Sequence, residues 1–141
     1  MGRTVFIALA AIAAVFALAA CGGVGGDNSI VGVLWEWNGL QETQPSSLSA
    51  VPNPQNYLLK LNDDGTFNAK ADCNNLSGTY TLSGNDLTLR PGPMTRAACP
   101  PDSLSDKYVS LLHDVAKYSL ENEQLVLGLK NDAGSMFFNA G

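Results

Sequence analysis

From residue 30 onward, short stretches of apolar residues alternate with residues that favour turns. Residues 57–61, YLLKL, and 66–73, TFNAKADC, have an apolar side chain at every second position, which places those side chains on one face of a strand. Asp64-Gly65 lies between the two segments, and this dipeptide favours a hairpin turn. The pattern therefore predicts antiparallel strands joined by tight turns.

The same pattern recurs along the chain and predicts seven or eight short strands. A second hairpin is expected around SGND at 83–86, and a pair of hairpins at the end of the chain. Three sets of side chains are each expected to share one face of a strand: Val31, Val33, Trp35 and Trp37; Tyr57, Leu59 and Leu61; and Phe67, Ala69, Ala71 and Cys73. The side chains expected to point inward from the second hairpin are Tyr80, Leu82, Leu87 and Leu89.

Three further segments complete the predicted architecture. Residues 41–55 hold three of the seven prolines and predict a long loop, whereas MTRAAC at 94–99 predicts a further short strand. Residues 103–118 have apolar side chains at helical spacing and predict the single helix, with Ser103 as its N-cap. We therefore expect a mainly β (α+β) fold: a small antiparallel β-barrel or strongly curved sheet with one packed α-helix.

The first twenty residues are typical of a secretory signal. Residues 5–20 form an apolar run of 16 residues preceded by Arg3. A membrane-spanning helix needs about 20 apolar residues, whereas signal-peptide cores are typically about 7–15. The run is therefore interpreted as a cleaved signal peptide over residues 1–20, with an uncleaved membrane anchor as the alternative.

Cys21 directly follows Leu18-Ala19-Ala20, and this stretch resembles the lipobox of bacterial lipoproteins. In such proteins the cysteine is diacylated and becomes the first residue after cleavage. We therefore expect Cys21 to carry a membrane anchor; the alternative is a chance cysteine beside an ordinary cleavage site. Residues 21–30 are glycine-rich and predict a flexible tether, which leaves residues 31–141 as one domain.

Lipidation of Cys21 implies a location in the cell envelope with the membrane as a partner. Gly22 stands where an aspartate often retains lipoproteins in the inner membrane. We therefore expect the outer membrane, facing the periplasm, in a cell with two membranes, and otherwise the outer face of the cell membrane. Without residues 1–20, the chain has 7 basic and 13 acidic side chains, a net charge of −6. Such a chain repels phosphate backbones, so nucleic acid is not expected as a partner.

If Cys21 is acylated, Cys73 and Cys99 remain as a pair. Outside the cytoplasm such a pair is typical of a disulfide, with two buried free thiols as the alternative. The loop between them contains about 27 residues, so the chain-entropy model predicts roughly 3.5 kcal/mol of stabilisation.

No residue pattern indicates a metal, a cofactor or a catalytic centre. An EF-hand alignment of LNDDGTF places Lys60 and Ala71 at ligand positions, and neither supplies a side-chain oxygen. His113, Ser110 and Asp114 are helical neighbours that cannot align as a hydrolase triad. We therefore predict a protein that is not an enzyme and has no cofactor. A small hydrolase with two converging carboxylates remains a second alternative, because any two acidic residues can meet in space.

Trp35 and Trp37 allow two interpretations. Both can be core residues with bonded indole N–H groups, or both can contribute to an exposed binding surface.

Over about residues 31–141 the chain resembles the META/HslJ family. That family has an early tryptophan, a phenylalanine after a hairpin glycine, a Cys-Asn pair, Gly-x-Tyr, Thr-x-x-Ala-Cys and a closing Leu-x-Leu. The matching residues here are Trp35, Phe67, Cys73, Asn74, Gly78, Tyr80, Thr95 to Cys99, Leu125 and Leu127. Asp72 departs from the family pattern, because many members have glycine before Cys-Asn.

The resemblance implies a small barrel-like domain, often lipid-anchored in the cell envelope, with a role in stress tolerance and no established catalytic residues. The expected function is non-catalytic binding or structural support, with an envelope protein as a possible partner. The first alternative is an envelope inhibitor or small-ligand carrier of the lysozyme-inhibitor or lipocalin kind, which requires a barrel cavity of roughly 300 Å³ or more. The motif residues have structural interpretations: Gly78 permits a turn or bulge, Asn74 caps backbone groups, and Tyr80 fills the interior with its hydroxyl at the edge.

Overall fold

The computed structural model describes residues 28–141, which form nine antiparallel strands and one α-helix. The elements in chain order are β1 (Leu34–Thr43), β2 (Ser46–Ala50), β3 (Tyr57–Leu61), β4 (Thr66–Ala71), β5 (Asn74–Ser83), β6 (Asp86–Met94), α1 (Ser105–His113), β7 (Val115–Glu121), β8 (Gln124–Leu129) and β9 (Gly134–Ala140). The prediction of a mainly β, antiparallel barrel-like fold with one helix is therefore confirmed.

Eight of the strands close into a barrel. Each of β3 to β8 pairs with the next strand along the chain, and β9 returns to pair with β1, which also pairs with β3. The pairing between β6 and β7 has the fewest residue pairs of any two neighbouring strands. It consists of the pair Asp86–Lys117 and a hydrogen bond from the Tyr118 N–H to the Asn85 carbonyl. β2 lies outside this closed ring and pairs only with β1.

The tight turns form where the sequence allows a left-handed backbone. Gly65 has φ = 83° between β3 and β4, and Gly84 has φ = 57° between β5 and β6. Glycine enters this region without the steric cost that a Cβ imposes. Asn122 and Glu123 take the same region between β7 and β8, with φ of 51° and 65°. All four predicted hairpins are present, the last of them between β8 and β9.

The interior of the barrel is filled by apolar side chains from alternate positions. In β3, for example, Tyr57, Leu59 and Leu61 are buried, whereas Leu58 and Lys60 between them point outward. The fully buried large side chains are Ile30, Trp37, Leu40, Leu59, Leu61, Phe67, Leu87, Tyr108, Leu112, Leu125, Leu127 and Phe138. The alternation of the sequence thus specifies the core.

The helix lies across the end of the barrel where β3, β5, β7 and β9 begin. Tyr108 is fully buried, its hydroxyl donates to the Leu58 carbonyl, and its ring stacks on Trp37 at a centroid distance of 5.1 Å. At the opposite end Ile30 is fully buried, and its carbonyl accepts the Trp35 indole N–H at 3.0 Å. Both ends are therefore covered.

The prediction of a long loop over residues 41–55 is wrong. β1 continues to Thr43, and Ser46–Ala50 returns beside it as β2. All five β2 residues are exposed, so the strand has no buried face. The apolar alternation that marks the other strands is accordingly absent from SSLSA, and proline on both sides concealed the strand.

The predicted helix is too long, because α1 ends at His113 and VAKY belongs to β7. Val115 and Tyr118 are both buried side chains of β7, although they are three residues apart rather than two or four. A bulge between Val115 and Lys117 allows this spacing in a strand, and the same spacing also fits a helix. Ser103 also lies one residue before the observed N-cap, Leu104, although its hydroxyl accepts the Ser105 N–H at 3.1 Å.

Two smaller predictions about the segments around the cysteines are also wrong. MTRAAC does not form a separate strand, because Met94 ends β6 and residues 95–100 are irregular. Cys73 does not share the inner face of β4, because that strand ends at Ala71 and Cys73 is exposed in the turn that follows. The disulfide described below holds both segments instead.

The signal peptide, Cys21 and most of the glycine-rich tether lie outside the described residues. Between residues 28 and 141, no helix is long and apolar enough to cross a membrane.

Candidate functional site

Asn74 is a buried amide at the start of β5, with 6% of its surface exposed. Its side-chain oxygen accepts hydrogen bonds from the Ala97 N–H at 2.8 Å and the Thr95 hydroxyl at 3.0 Å. Its side-chain nitrogen donates to the Ala97 carbonyl at 3.1 Å. One side chain therefore satisfies both backbone groups of Ala97, as strand pairing would have done.

Thr95 extends the same network to the next residue of β5. Its hydroxyl accepts the Asn75 N–H at 3.0 Å, and its own N–H donates to the Asn75 carbonyl at 3.0 Å. Thr95 and Asn74 together hold the irregular segment 95–99 against β5 without a regular ladder.

A disulfide joins Cys73 to Cys99 and reinforces this attachment. The two residues are 26 positions apart, and the Asn74 side-chain nitrogen lies 3.4 Å from the Cys99 sulfur. Asp72, which departs from the family pattern, has φ = 57°, a left-handed conformation that aspartate tolerates better than most residues. The turn that carries Cys73 therefore forms without glycine.

A cleft of about 310 Å³ lies between this attached segment and the start of α1. Asn74, Cys99, Pro101, Ser105 and Asp106 contribute to its walls. Ser105 is 4% exposed, and its hydroxyl has no hydrogen-bond partner among the described residues. Sequence reasoning did not identify Ser105, because its burial depends on the path of residues 95–104.

Phe67 and Gly78 form a matched pair on β4 and β5. They lie directly opposite each other in the register, and a Cβ on Gly78 would come within 2.6 Å of the Phe67 ring and 2.3 Å of the Arg90 carbonyl oxygen. The register between β5 and β6 also shifts next to Gly78, which marks a bulge. The glycine therefore makes room for the phenylalanine ring.

Tyr80 is partly buried and packs against the core, with its hydroxyl at the turn between β3 and β4. The hydroxyl donates to the Asn62 carbonyl. Burial, together with the nearby Asp64 and Asp63 carboxylates, raises the pKa of Tyr80. Asp64 itself accepts hydrogen bonds from the Thr66 hydroxyl and N–H, and these lower the pKa of its carboxyl group.

Trp35 and Trp37 are core residues, with exposures of 3% and 1%. The Trp37 indole N–H donates to the Gly39 carbonyl at 2.8 Å, and the ring also meets Tyr57 edge to face. The alternative of an exposed tryptophan binding surface is therefore wrong.

The groups considered for catalysis do not form a centre in the described part of the chain. His113 is exposed at the last position of α1, and its carbonyl accepts the Lys130 ammonium at 2.7 Å. No group of three or more His, Cys, Asp or Glu side chains between residues 28 and 141 is placed to hold a metal ion. Hydrogen bonds from Thr66 lower the pKa of the Asp64 carboxyl group, so its partner is a threonine rather than a second acid.

The cleft beside Ser105 and a second, larger cavity both lie outside the barrel interior. The second cavity, of about 380 Å³, lies on the outer face of the barrel wall and includes Asn68, Ser77 and Pro93 in its lining. The cleft beside Ser105 is likewise formed by the attached segment and α1 rather than by the inward faces of the strands. A ligand that entered the barrel itself would have to displace core side chains.

A family model described as META domain matches residues 29–141, which is most of the chain. No curated protein sequence shows significant similarity to this chain.

Solved structures share the fold, among them the following two. One is described as the NMR structure of the protein from Burkholderia xenovorans: it has a TM-score of 0.64 and 20% identity, with 81% of this chain and 85% of that chain covered. The other is a crystal structure of a DUF4847 family protein from Bacteroides vulgatus, with a TM-score of 0.60, 12% identity and coverage of 83% and 98%. At these identities the likeness concerns the fold alone.

Proposed function

This chain belongs to the META domain family, and from that premise we propose that it is a lipid-anchored protein of the cell envelope whose domain binds or supports other components without catalysing a reaction. The proposal combines two kinds of support. The sequence around Cys21 supports the anchor, and the arrangement of the motif residues supports a non-catalytic domain.

The main support for a non-catalytic role is that the motif side chains contact other parts of the same domain. Asn74 and Thr95 bond the backbone of segment 95–99, Gly78 makes room for Phe67, and Trp35 bonds the Ile30 carbonyl. Each of these groups is used within the fold. A catalytic set would instead leave polar groups converging on a space that a substrate can enter.

The two alternative functions have weaker support. A small-ligand carrier of the lipocalin kind needs an internal cavity, whereas the apolar side chains of the described strands fill this barrel. A small hydrolase needs two carboxylates whose environments separate their pKa values. Asp106 is the one carboxylate that lines the cleft beside Ser105.

The anchor is tested by growing cells that express the full chain with radiolabelled palmitate. We expect the wild-type protein to carry label and the Cys21→Ser variant to carry none. Cys73→Ser is the matched control, because it removes a different cysteine and should retain the label. A wild-type protein that is secreted without label would contradict the proposal.

A further inference from the structure

The lysine and arginine side chains of the described domain fall into two groups. Three of the seven lie within 4.0 Å of a carboxylate: Lys107 of Glu42, Lys117 of Asp132, and Lys130 of Asp114. The other four have no ion pair with any residue between 28 and 141, and they are Lys60, Lys70, Arg90 and Arg96.

The unpaired cations lie on one side of the barrel. Lys60 and Lys70 point outward from the adjacent strands β3 and β4, because their neighbours in each strand are the buried ones. Arg90 is exposed on β6, and Arg96 is exposed just after that strand. Because β3, β4, β5 and β6 are consecutive in the barrel, these cations, far apart in the sequence, face outward from one contiguous part of its wall.

Acidic side chains are scarce on this surface. The outward positions of β3, β4 and β5 hold leucine, lysine, threonine, asparagine and serine, but no aspartate or glutamate. Acids lie at its borders: Glu36 is opposite Leu58 on β1, Asp86 begins β6, Asp63 and Asp64 lie in the turn between β3 and β4, and Asp72 follows the end of β4. In a mature chain of net charge −6, this separation of charge makes one face basic.

Apolar side chains lie among these cations. Leu34 is 40% exposed at the start of β1, directly opposite Lys60. A shallow groove of about 260 Å³ runs beside it and is lined in part by Leu34, Leu58, Lys60 and Lys70. The neighbouring groove toward β6 shares Asn68, Asn75 and Leu76 with it and includes Met94 in its lining. Apolar surface between cations suits the boundary between lipid headgroups and acyl chains.

The chain enters the domain beside this same surface. The Gly32 N–H donates to the Leu61 carbonyl at 2.8 Å, and Val31 pairs with Leu61, so the N-terminal connection runs past the end of β3. Cys21 and Ser29 are separated by eight residue steps. A fully extended chain spans at most about 3.6 Å per residue, so a lipid on Cys21 would hold the domain within roughly 30 Å of the membrane.

We propose that this basic face, defined by Leu34, Leu58, Lys60, Lys70, Arg90 and Arg96, rests on the surface of a membrane that contains anionic phospholipids. The proposal rests on the lipid anchor of the proposed function and adds the orientation of the domain to it. Two observations select a lipid surface over an acidic protein: the apolar side chains of Leu34 and Leu58 lie among the cations, and the tether enters beside them. Because the rest of the domain is acidic, anionic lipid also repels the other orientations.

The test measures the reactivity of individual lysines on vesicles. The acylated protein, extracted from membranes, is reconstituted into vesicles of phosphatidylcholine alone or of phosphatidylcholine with phosphatidylglycerol, and is then acetylated with a membrane-impermeant reagent. Mass spectrometry measures the rate of acetylation of Lys60 and Lys70, and the rates at Lys117 and Lys130 serve as internal controls. We expect acetylation of Lys60 and Lys70 to slow about fivefold on anionic vesicles and to recover in about 1 M salt, where charges are screened within about 3 Å.

A pair of double variants separates the basic face from the total charge. Arg90→Gln/Arg96→Gln removes two cations from the face and leaves both reporter lysines, so the protection of Lys60 and Lys70 should be lost. Lys117→Gln/Lys130→Gln removes the same charge elsewhere and should leave that protection unchanged, with Lys107 as the reporter outside the face.

Each other outcome overturns the proposal in a distinguishable way. Equal acetylation of Lys60 and Lys70 on both kinds of vesicle, with an acylated Cys21, would refute the orientation while leaving the anchor intact. Protection that is equally strong on phosphatidylcholine alone, or in detergent without vesicles, would show contacts other than anionic lipid. A purified protein without an acyl chain would overturn both the anchor and this inference.

Discussion

At the scale of single residues, the Asn74 side chain attaches the irregular segment 95–99 to the barrel. Asn74 is buried and bonds both backbone groups of Ala97, while Thr95 bonds both backbone groups of Asn75. Buried backbone groups without partners are costly, so these side chains permit a segment without regular pairing to lie against β5.

Replacing Asn74 with alanine should therefore destabilise the domain strongly. The variant loses the three hydrogen bonds that the buried Asn74 amide makes with Ala97 and Thr95, and each costs about 0.5–1.5 kcal/mol. We expect a loss of about 2–4 kcal/mol in the free energy of unfolding, measured by urea titration. Asn75→Ala changes an exposed neighbouring side chain and should cost under about 0.5 kcal/mol. Equal losses in the two variants would contradict the role assigned to Asn74.

Gly78 is the second residue whose replacement has a specific expected effect. A Cβ there would lie 2.3 Å from the Arg90 carbonyl oxygen, which belongs to a paired strand and cannot easily move. We expect Gly78→Ala to destabilise the domain by about 1–3 kcal/mol in urea unfolding. Gly39→Ala is the matched control in a strand, because its nearest contact would be 3.5 Å away, and it should change stability by less than about 1 kcal/mol.

At the scale of elements, the sequence predicts those parts whose side chains alternate between a buried and an exposed face. The β3–β4 and β5–β6 hairpins are predicted because a left-handed glycine and an alternating apolar pattern coincide. β2 has no buried side chain, so no pattern marks it. The spacing of Val115 and Tyr118 suits a helix as well as a bulged strand, so the sequence cannot separate α1 from β7.

The candidate site shows the same division between local and long-range information. Cys73, Cys99, Asn74 and Thr95 can be selected from residue type and family resemblance. Their mutual arrangement depends on the path of residues 95–104, which has no periodic pattern. The burial of Ser105 and the gathering of Lys60 with Arg90 on one face likewise result from strand pairing between distant segments.

The disulfide should contribute to the stability of this irregular segment. It closes a loop between residues 26 positions apart, so its loss should cost roughly 3.5 kcal/mol by the loop-entropy model. We expect reductant to lower the melting temperature of the wild type. A Cys73→Ala/Cys99→Ala variant should melt near the reduced wild type and should not respond to reductant. A wild type whose melting temperature is the same with and without reductant would contradict this role.

The helix should make the domain sensitive to alkali. Burial raises the pKa of Tyr108 above its usual value, so the folded state holds the phenol proton more tightly than the unfolded chain does. The stability due to this group is complete below the unfolded pKa of about 10 and falls as the pH rises above it.

We therefore expect the melting temperature to fall above about pH 10, and to fall less steeply in Tyr108→Phe, which cannot ionise. The variant also loses the hydrogen bond to the Leu58 carbonyl, so its melting temperature should be lower at neutral pH. Thermal melts between pH 7 and 11 in both proteins test this. Parallel declines would assign the alkaline sensitivity to other groups.

At the scale of the whole molecule, a closed barrel with a filled interior is covered by α1 at one end and by Ile30 at the other. Such a domain offers its outer surface rather than its interior for interactions. We propose that a lipid on Cys21 places the domain at a membrane and that the basic face orients it there. Both depend on the anchor.

Intact mass spectrometry of the protein extracted from membranes, with and without reduction, tests the anchor and the cysteine pairing most directly. We expect a mature chain that begins at Cys21, carries the mass of at least a diacylglyceryl group, and gains two hydrogen atoms at Cys73 and Cys99 on reduction. A soluble, unacylated chain that begins at another residue would contradict it.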